Sequence, residues 1–250
     1  MINKIKTYYL SGARFLNDPF HQTVGQLNKN EMLKRPNRTH IINHLIQYLN
    51  RDITYLEIGV RNPNDNFNLI EAKNKYSVDP GLEFTENPVD FKLTSDAFFE
   101  QLKQGKILNP SLRFDVIFID GLHLAEQVEK DIDNALAFIK EDGFIILHDC
   151  NPPSEWHARE EYHYQISPAM NNWNGTTWKA FYKARLREDI FSCCIDTDWG
   201  VGILSKTLKL GPSSKINNPY FEFKIFENHR KDSLNLITFN ELKSILNVRA

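Results

Sequence analysis

The sequence of 250 residues has few cysteines, no long hydrophobic run and almost no net charge. No apolar stretch approaches the ~18 residues that a membrane-spanning helix needs, and the first residues lack the apolar core of a secretion signal. Three cysteines do not make a disulfide framework, which favours a reducing, cytoplasmic compartment. With a formal charge of −2, neither nucleic acid nor an anionic membrane is expected as a partner.

Length and composition are typical of one globular α/β domain with additions. Hydrophobic residues make up 41% and charged residues 25% of the chain, both ordinary values. We predict an N-terminal extension over residues 1–37, in which apolar residues show no clean period, a domain over 38–205 and a C-terminal extension over 206–250. Residues 151–175 are rich in proline, histidine and aromatic residues without periodicity, and we interpret them as a lid over a functional site.

Residues 114–149 predict a strand–helix–strand unit. Apolar runs at 114–119 and 144–147 flank a segment, 124–140, in which apolar residues recur at helical spacing. Such units form parallel strands joined by a right-handed crossover. Asp120 follows the first strand, and His148 and Asp149 follow the second. Because ligands bind beyond the carboxyl ends of strands in open parallel sheets, these residues are expected at the mouth of a site.

Two more strands are predicted upstream, at residues 53–58 and 76–78. The first closes with Glu57-Ile58-Gly59, and a glycine there permits a tight turn and close approach of a ligand. The second ends in Asp79, where an acid commonly accepts hydrogen bonds from a ribose diol. The alternative for Asp79 is a turn-forming role before Pro80. The G-x-G-x-x-G fingerprint of dinucleotide-binding proteins is absent.

The other predicted elements surround this framework. They are helices at 41–49 (capped by Thr39), from near Asn66, at 97–104 (capped by Ser95 or Asp96), at 176–187 and at 239–246 (capped by Thr238), a strand at 89–93, a turn at 141–143, and strands at 190–195 and 201–204. The last two strands are expected to form an antiparallel hairpin that closes the sheet. Residues 206–236 predict irregular structure.

The order of these elements resembles the class I S-adenosylmethionine-dependent methyltransferase fold. IDGLH at 119–123, HDCNPP at 148–153, WNGTTWKAFYKAR at 173–185 and DTDWGVGIL at 196–204 are similar to motifs of a bacterial group related to macrocin and rhamnosyl O-methyltransferases. The resemblance covers roughly residues 38–205. It implies an α/β fold with a Rossmann-like, doubly wound, mostly parallel seven-stranded sheet and a C-terminal antiparallel hairpin. In the first loop, Arg61-Asn62-Pro63 replaces the family's further glycines.

The resemblance also implies roles for individual residues in binding S-adenosylmethionine. It places Glu57 and Gly59 beside the methionine part, Asp79 at the ribose, Ser95 and Asp96 near the adenine, and Asp120 near the sulfonium. Elementary chemistry agrees, because a cationic sulfonium favours nearby carboxylates and a ribose diol matches the paired acceptors of a carboxylate.

Two histidines are candidates for the base that a hydroxyl acceptor requires. His123 is the first candidate and His148 the second, and Asp120, beside the transferred methyl group, completes the candidate catalytic set. Each histidine has a structural alternative. His123 could lead the following helix and bond to backbone, and His148 could close the strand.

A metal site is a further expectation at the same sheet edge. Related O-methyltransferases often bind Mg²⁺ through an Asp after strand four and an acidic or amide pair after strand five. Asp120 and Asp149 match that pattern, whereas Cys150 is a poor ligand for a hard cation, so Asn151 or His123 would have to complete the set. In the lid, His157 and His163 lie among glutamates, but solvated loop histidines are the favoured interpretation.

The predicted function is therefore S-adenosylmethionine-dependent transfer of a methyl group to oxygen of a small polar or sugar-like acceptor. Tryptophan faces suit sugars, which would make the reaction a carbohydrate modification, although Trp156 and Trp173 could equally anchor the lid. A homo-oligomer is left open. The alternatives are a nicotinamide-dependent oxidoreductase, disfavoured by the missing glycines, and a non-catalytic, cofactor-binding partner of a second chain.

Overall fold

The computed structural model describes residues 2–83, 86, 88–164 and 166–247. In these ranges the helices are α1 (Ile2–Asn17), α2 (Pro19–Leu33), α3 (Arg38–Leu49), α4 (Ser95–Lys103), α5 (Ala125–Phe138), α6 (Thr177–Ala184), α7 (Phe223–Asn228), α8 (Arg230–Leu234) and α9 (Phe239–Asn247). The strands are β1 (Thr54–Ile58), β2 (Asn74–Val78), β3 (Phe114–Ile119), β4 (Ile139–Leu147), β5 (Phe191–Ile195), β6 (Val201–Ser205) and β7 (Leu236–Ile237). Among these described helices, none combines the length and apolarity required to cross a bilayer.

The strands form one seven-stranded sheet in the order β2-β1-β3-β4-β6-β5-β7. Strands β2, β1, β3 and β4 are parallel. Strand β6 runs antiparallel between β4 and β5, and β7 pairs with β5 in parallel. The predicted Rossmann-like α/β class, with a mostly parallel seven-stranded sheet and a C-terminal antiparallel hairpin, is confirmed.

Helices cover both faces of the sheet because its central strands are apolar on both sides. Every residue of β3 is buried, and successive side chains of a strand point to opposite faces. Ile117 accordingly packs in the cluster that contains Phe98 of α4 and Val128 of α5. Phe118 packs in the cluster that contains Leu45 of α3. The crossover helices therefore hold the strand ends in fixed positions at one edge.

Helices α1 and α2 occupy residues for which the sequence predicts no regular element. Helix α2 escapes periodicity analysis because its buried positions include Asn28 and Glu31, which are polar. Helix α1 escapes it for the opposite reason, since none of its described residues is buried. The proposed boundary between extension and domain, at residues 37/38, stays a prediction.

Two predicted helix caps are wrong by one or two residues. Helix α3 is capped by Asn37, whose side chain accepts a hydrogen bond from the His40 N–H at 3.2 Å. Thr39 instead donates to Asn66 Oδ1 at 2.7 Å. Helix α4 is capped by Thr94, so neither Ser95 nor Asp96 caps it. In both cases more than one residue near the helix start has a side chain that can cap it, so the sequence alone does not fix the position of the cap.

Four predicted elements differ from the structure. The expected strand at 89–93 is reduced to one bridge between Phe91 and Val78, and the helix expected near Asn66 is replaced by short 3₁₀ turns. The turn predicted at 141–143 lies inside β4, where the pairing with β3 shifts register. Residues 206–236, predicted irregular, contain α7, α8 and the start of β7. The predicted terminal helix with Thr238 at its start is confirmed, since Glu241 N–H donates to the Thr238 hydroxyl at 3.2 Å.

Candidate functional site

The carboxyl ends of β1 and β3 meet at Gly59. Its φ is +90°, and a Cβ built on it would lie 2.2 Å from the backbone oxygen of Asp120. Gly59 N–H donates to the Val78 carbonyl at 2.8 Å and Asp120 N–H to the Ile58 carbonyl at 2.9 Å. Only glycine satisfies both the left-handed backbone and this close approach, so the turn predicted from Glu57-Ile58-Gly59 brings three strand ends together.

Two adjoining cavities open at this edge. One of about 280 Å³ is lined by residues that include Glu57, Arg61, His123, His148, Asp149 and Trp173. The other, of about 290 Å³, is lined by residues that include Ile58, Asp79, Leu82, Ser95, Gln127 and Asp131. Six residues line both cavities: Gly59, Arg61, Glu83, Asp120, Gly121 and Trp173. Together they offer a charged compartment next to a more apolar one, which is the size and character of a site for small organic ligands.

The charged compartment is built around Asp120. Its Oδ1 lies 3.2 Å from His123 Nε2 and 3.1 Å from His148 Nδ1. The other ring nitrogen of His123, Nδ1, lies 3.2 Å from Asp149 Oδ2. Asp149 also accepts a hydrogen bond from the Asn174 side chain at 2.9 Å. The structure thus brings together the four residues that the sequence placed at the ends of β3 and β4.

Opposite charges set the protonation of this compartment. Burial would raise the pKa of Asp120, but His148, His123 and Arg38 together hold that pKa well below its usual value. Burial would lower the pKa of His123, yet Asp149 and Asp120 raise it above the usual value. The pKa of His148 shifts in the same direction, against burial and through the same two carboxylates. Asp120 is therefore held ionised by the histidines and Arg38 that surround it.

Sequence reasoning missed two residues of this network, Arg38 and Asp198. Arg38 Nε lies 3.7 Å from Asp120 Oδ2, and the Arg38 backbone N–H donates to Asp198 Oδ2 at 2.7 Å. Asp198 Oδ1 in turn lies 3.4 Å from His148 Nε2. Asp198 is in the β5–β6 turn with φ +47°, so an aspartate that tolerates the left-handed region connects the start of α3 to His148.

Glu57 is the most enclosed of the predicted cofactor residues. It is buried between the Tyr55 hydroxyl, 2.6 Å from Glu57 Oε2, and the Asn66 amide, 2.9 Å from the same oxygen. Burial raises the pKa of Glu57 to about 7, against the effect of these hydrogen bonds. The Glu57 side chain lines the charged cavity. The hydrogen bonds from Tyr55 and Asn66 fix its orientation there.

The more apolar cavity is lined by two further predicted cofactor residues, Asp79 and Ser95, and by two residues that were not predicted, Gln127 and Asp131. Asp79 lines it and accepts a hydrogen bond from Gly81 N–H at 2.6 Å. Ser95 lines it as well, whereas Asp96 is exposed. The Gln127 amide nitrogen lies 3.1 Å from oxygens of Ser95, Asp96 and Asp131. Gln127 and Asp131 are one turn apart on α5, and that i, i+4 spacing of polar residues was the available signal.

Residues 151–175, which the sequence predicts to be a lid, contact the site through Trp173. Its ring stacks on His123 with 5.2 Å between centroids, and its Nε1 donates to the Arg159 carbonyl at 2.7 Å. Trp156 instead packs against Phe20 and Tyr164, so it anchors the lid to the N-terminal helices. Of the two tryptophans, only Trp173 lines the cavities described above.

His157 fastens the lid to α2 and is not a solvated loop residue as predicted. It is fully buried, with Ser154 Oγ at 2.8 Å from Nδ1 and Asn28 Oδ1 hydrogen-bonded to Nε2. Glu31 of α2 also accepts a hydrogen bond from Trp199 N–H at 2.9 Å. His163 is exposed, as predicted. Within the part of the chain that the structure describes, neither His157 nor His163 belongs to a cluster of potential metal ligands.

The burial of His157 predicts a loss of stability in mild acid. Burial, with Arg159 and Arg230 nearby, lowers its pKa to about 4, so the folded state excludes a proton that the unfolded chain binds near pH 6.5. The contribution of His157 to the free energy of unfolding is fully present above pH 6.5 and is lost as the pH falls toward 4. Urea unfolding at pH 7 and pH 5 should differ by about 2 kcal/mol from this residue.

A matched pair of variants isolates that contribution. Relative to the wild type, His157→Gln should make the stability at pH 5 more favourable by about 2 kcal/mol, measured against the stability at pH 7. Glu57, whose pKa in the folded state is about 7, contributes in the opposite direction and does so equally in both proteins. His163→Gln, at an exposed position of the same segment, should keep the pH dependence of the wild type. An unchanged pH dependence in His157→Gln would assign the acid lability to other groups.

The potential metal ligands are Asp120, His123 and Asp149, whose ligand atoms lie within 4.8 Å of one another. Cys150 is buried. Asn151 is engaged elsewhere, since its side chain bonds to Asp196 and Arg230. Of the two residues suggested by the sequence to complete the set, the structure therefore brings His123 to the carboxylates and directs Asn151 away.

Comparison with known proteins identifies the family. Residues 18–150 match the methyltransferase-domain family, which is more than half of the chain, and no curated protein sequence matches. The chain belongs to this methyltransferase family, and its architecture is the Rossmann-like one of class I S-adenosylmethionine-dependent methyltransferases.

Several solved structures are similar at low identity. An O-methyltransferase from Bacillus cereus in complex with SAH is 16% identical, with 82% of this chain and 100% of that chain covered and a TM-score of 0.45. The O-methyltransferase TomG from Streptomyces achromogenes, in complex with SAM, is 11% identical, with coverage of 76% and 91% and a TM-score of 0.45. MycE from the mycinamycin pathway, in complex with Mg, SAH and mycinamycin VI, is 14% identical, with coverage of 79% and 57% and a TM-score of 0.42.

Proposed function

We propose that this protein transfers the methyl group of S-adenosylmethionine to a hydroxyl oxygen of a small polar or sugar-like acceptor. The observation that supports this best is the meeting of the two cavities at Gly59, Asp120 and Gly121. A ligand that spans both would place its middle beside Asp120. S-adenosylmethionine has that form, with a cationic centre between an adenosine and an amino-acid end.

The residues present fit this cofactor. Asp79 and Ser95 would hold the ribose and adenine in the apolar cavity, with Gln127 and Asp131 at its far wall. Glu57 and the Gly59 backbone would contact the amino-acid end. Asp120 would attract the sulfonium, and its low pKa keeps it ionised for that purpose. When bound, the cofactor supplies an electrophilic methyl group, and everything else depends on how the chain places the acceptor.

Methyl transfer requires the acceptor oxygen in line with the S–CH₃ bond, which is chiefly a positioning task. The acceptor would enter the charged cavity beneath Trp173, whose ring stacks on His123. His123 lies at hydrogen-bonding distance from both Asp120 and Asp149 through its two ring nitrogens, so its ring orientation is fixed from two sides. One of these two contacts has to give way to the acceptor hydroxyl before His123 can take its proton. We assign it as the base that removes the acceptor proton, with His148 as the alternative.

A base must be neutral, whereas Asp120 and Asp149 raise the pKa of His123. The cationic cofactor partly neutralises Asp120 and so lowers the affinity of His123 for its proton. The charge of His148 acts in the same direction on the pKa of His123. This arrangement couples loading of the site to readiness of the base.

We also propose that the charged cavity can bind one Mg²⁺ ion. Asp120 and Asp149 would supply oxygens and His123 a nitrogen. Carboxylates suit Mg²⁺, while a nitrogen donor suits Mn²⁺ or Zn²⁺ as well. A bound divalent cation would orient an acceptor hydroxyl and favour its ionisation. It would compete with Arg38 and the two histidines, which already neutralise the carboxylates.

The decisive experiment is calorimetric titration with S-adenosylhomocysteine, with EDTA and with Mg²⁺. Asp79→Ala should weaken binding about 10- to 100-fold, because a charge-assisted hydrogen bond contributes roughly 1.5–3 kcal/mol. Asp79→Asn retains an acceptor for the Gly81 N–H and so keeps the turn, but it lacks the charge. It should also bind S-adenosylhomocysteine more weakly than the wild type, which would show that the loss in Asp79→Ala is not caused by collapse of the turn. Asp52→Ala, an exposed acid paired with Lys73, is the matched control and should bind normally.

Other outcomes point to the rival functions. Binding of NAD in place of S-adenosylhomocysteine would establish an oxidoreductase. Tight cofactor binding with no transfer to any member of a panel of hydroxyl compounds, together with an obligate second chain, would establish the non-catalytic partner. If Mg²⁺ tightens the binding of S-adenosylhomocysteine to the wild type but not to Asp149→Ala, the result would support a metal site at Asp149.

A further inference from the structure

Helix α1 carries an apolar stripe that its own chain leaves uncovered. Ile2, Ile5, Tyr9 and Leu16 are 81%, 62%, 75% and 70% exposed, and no described residue of α1 is buried. Spacings of three, four and seven residues place all four side chains on one side of the helix. Phe15, near the end of α1, packs on His21 of α2, but the stripe itself has no such cover among the described residues. Because an isolated helix of this length is only marginally stable in water, a further partner for α1 is expected.

The stripe is symmetric about Tyr9. Ile2 and Leu16 lie seven residues before and after it, and Ile5 and Ala13 lie four residues before and after it. If a second α1 lies antiparallel on the first, Tyr9 meets Tyr9, Ile2 meets Leu16, and Ile5 meets Ala13. A patch that matches itself under a two-fold rotation is what an isologous interface requires.

Gly12 supplies an independent observation. It lies seven residues after Ile5, on the same side of the helix. A Cβ built on Gly12 meets nothing within 4 Å, so no contact inside the chain requires glycine. Glycine inside a helix is destabilising relative to alanine. In the antiparallel pair, Ile5 of the second copy lies over Gly12 and Ala13, where the missing side chain leaves space for it.

Area and charge are compatible with this pairing. Covering the four exposed side chains in both copies removes on the order of 1,000 Å² from water, the lower end of specific protein interfaces. Lys4 and Arg14 lie on the side of α1 away from the stripe, whereas Lys6 lies at its edge and faces Gly12 of the second copy. The like charges of Lys4 and Arg14 therefore stay apart in the pair and remain in water, where salt screens them.

We propose that α1 is an interaction surface for a second copy of this chain, which it contacts as an antiparallel helix pair with Tyr9 on the two-fold axis. The proposal is independent of methyl transfer. The competing occupant is an anionic membrane, to which Lys4, Lys6 and Arg14 would be attracted. Tyr8 and Leu10, one residue before and after Tyr9, are also exposed and extend the apolar surface on either side of the stripe. The match of this surface to itself about Tyr9 favours a second α1 as the partner.

Disulfide trapping tests the register directly. All three native cysteines are buried, so an added cysteine on α1 reports alone, and a disulfide requires Cα atoms within about 7 Å. Tyr9→Cys should form a covalent dimer under mild oxidation. Ile2→Cys and Leu16→Cys should each fail alone and cross-link when mixed. Thr7→Cys, on the opposite side of α1, is the control and should stay monomeric on a denaturing gel.

Sedimentation equilibrium tests the association itself. The wild-type chain should be dimeric, and Tyr9→Asp, which buries two facing carboxylates, should raise the dimer dissociation constant by roughly 100-fold or more. The same substitution at Thr7 should change nothing. A wild-type chain that is monomeric at about 100 µM, or a Tyr9→Cys variant that does not cross-link while wild type binds phosphatidylglycerol vesicles, would overturn the proposal.

Discussion

His123→Ala should reduce the rate of methyl transfer by about 10²- to 10⁴-fold, the usual contribution of a positioned general base. The affinity for S-adenosylhomocysteine should stay at the wild-type value, because His123 contacts Asp120, Asp149 and Trp173 and belongs to the acceptor side of the site. The rate is measured with labelled S-adenosylmethionine and whichever hydroxyl compound of a screening panel the wild type methylates. Binding is measured by calorimetry on the same preparation.

The matched control for this variant is His163→Ala. His163 is in the same lid but exposed, so its removal should leave rate and affinity unchanged. His148→Ala distinguishes the two candidate bases. If it abolishes transfer while His123→Ala does not, the assignment passes to His148. Loss of cofactor affinity in His123→Ala would show that the histidine supports the fold of the site instead of the chemistry.

The strand ends could be predicted because their signal is local. A buried strand is a short apolar run, and in a parallel sheet the residue after the run falls at the ligand-binding edge. That reasoning placed Gly59, Asp79, Asp120 and Asp149 at one edge, where the structure has them. It needed no knowledge of which distant segments pack together, only of the order of strands and crossover helices.

Arg38 and Asp198 could not be predicted in the same way. They come from the start of α3 and the β5–β6 turn, and their contact spans 160 residues of sequence. Nothing local distinguishes Arg38 from an ordinary surface charge, and Asp198 stands in the motif DTDWGVGIL without any local sign of its partners. The same limit applies to β7, which has two residues and is too short to show any alternation.

Polar burial explains the other main failure. Helix α2 faces the lid with Asn28 and Glu31, and the partners of these side chains, His157 and Trp199, come from elsewhere in the chain. A search for apolar periodicity does not recognise a helix whose buried contacts are hydrogen bonds. Helix α2 could therefore be recognised only from the three-dimensional contacts of its polar side chains.

The charged compartment gains its properties from these long-range partners. Asp198 lies beside both Arg38 and His148, and the two cations lower the pKa of Asp198 against its burial. Asp120 and Asp198 thus share the same cations from opposite sides. An electrostatic network of this kind holds Asp120 ionised in a buried position, where an isolated carboxylate would be neutral.

Arg185 shows how a motif residue can serve the fold instead of the chemistry. It ends the segment WNGTTWKAFYKAR, one of the motifs that resemble methyltransferases. Its hydrogen-bond partners, however, are not residues of the candidate site. The side chain is 2% exposed and donates to the carbonyls of Ser192, Pro212, Asp232 and Ser233 and to the Ser192 hydroxyl. It therefore joins the end of α6 to β5, to the loop after β6 and to the end of α8.

Arg185→Met should destabilise the protein by about 3–5 kcal/mol, because it leaves several buried carbonyl groups without donors. Burial lowers the pKa of Arg185 to about 10, so the guanidinium is charged at neutral pH and all its donors are available. Arg185→Lys should recover only a small part of the loss, since an ammonium cannot reproduce the planar fork. Urea unfolding monitored by tryptophan fluorescence measures all three proteins.

Arg187→Met is the control, because Arg187 is more exposed and pairs with Asp133 and Asp189 at the surface. Surface pairs of this kind contribute about 0–1 kcal/mol. If Arg185→Met loses no more than Arg187→Met, the carbonyls must find other donors, and the four segments would be held by their apolar contacts alone. A large loss in Arg185→Met, with unchanged S-adenosylhomocysteine affinity under native conditions, would assign this part of the motif to assembly of the C-terminal sheet edge.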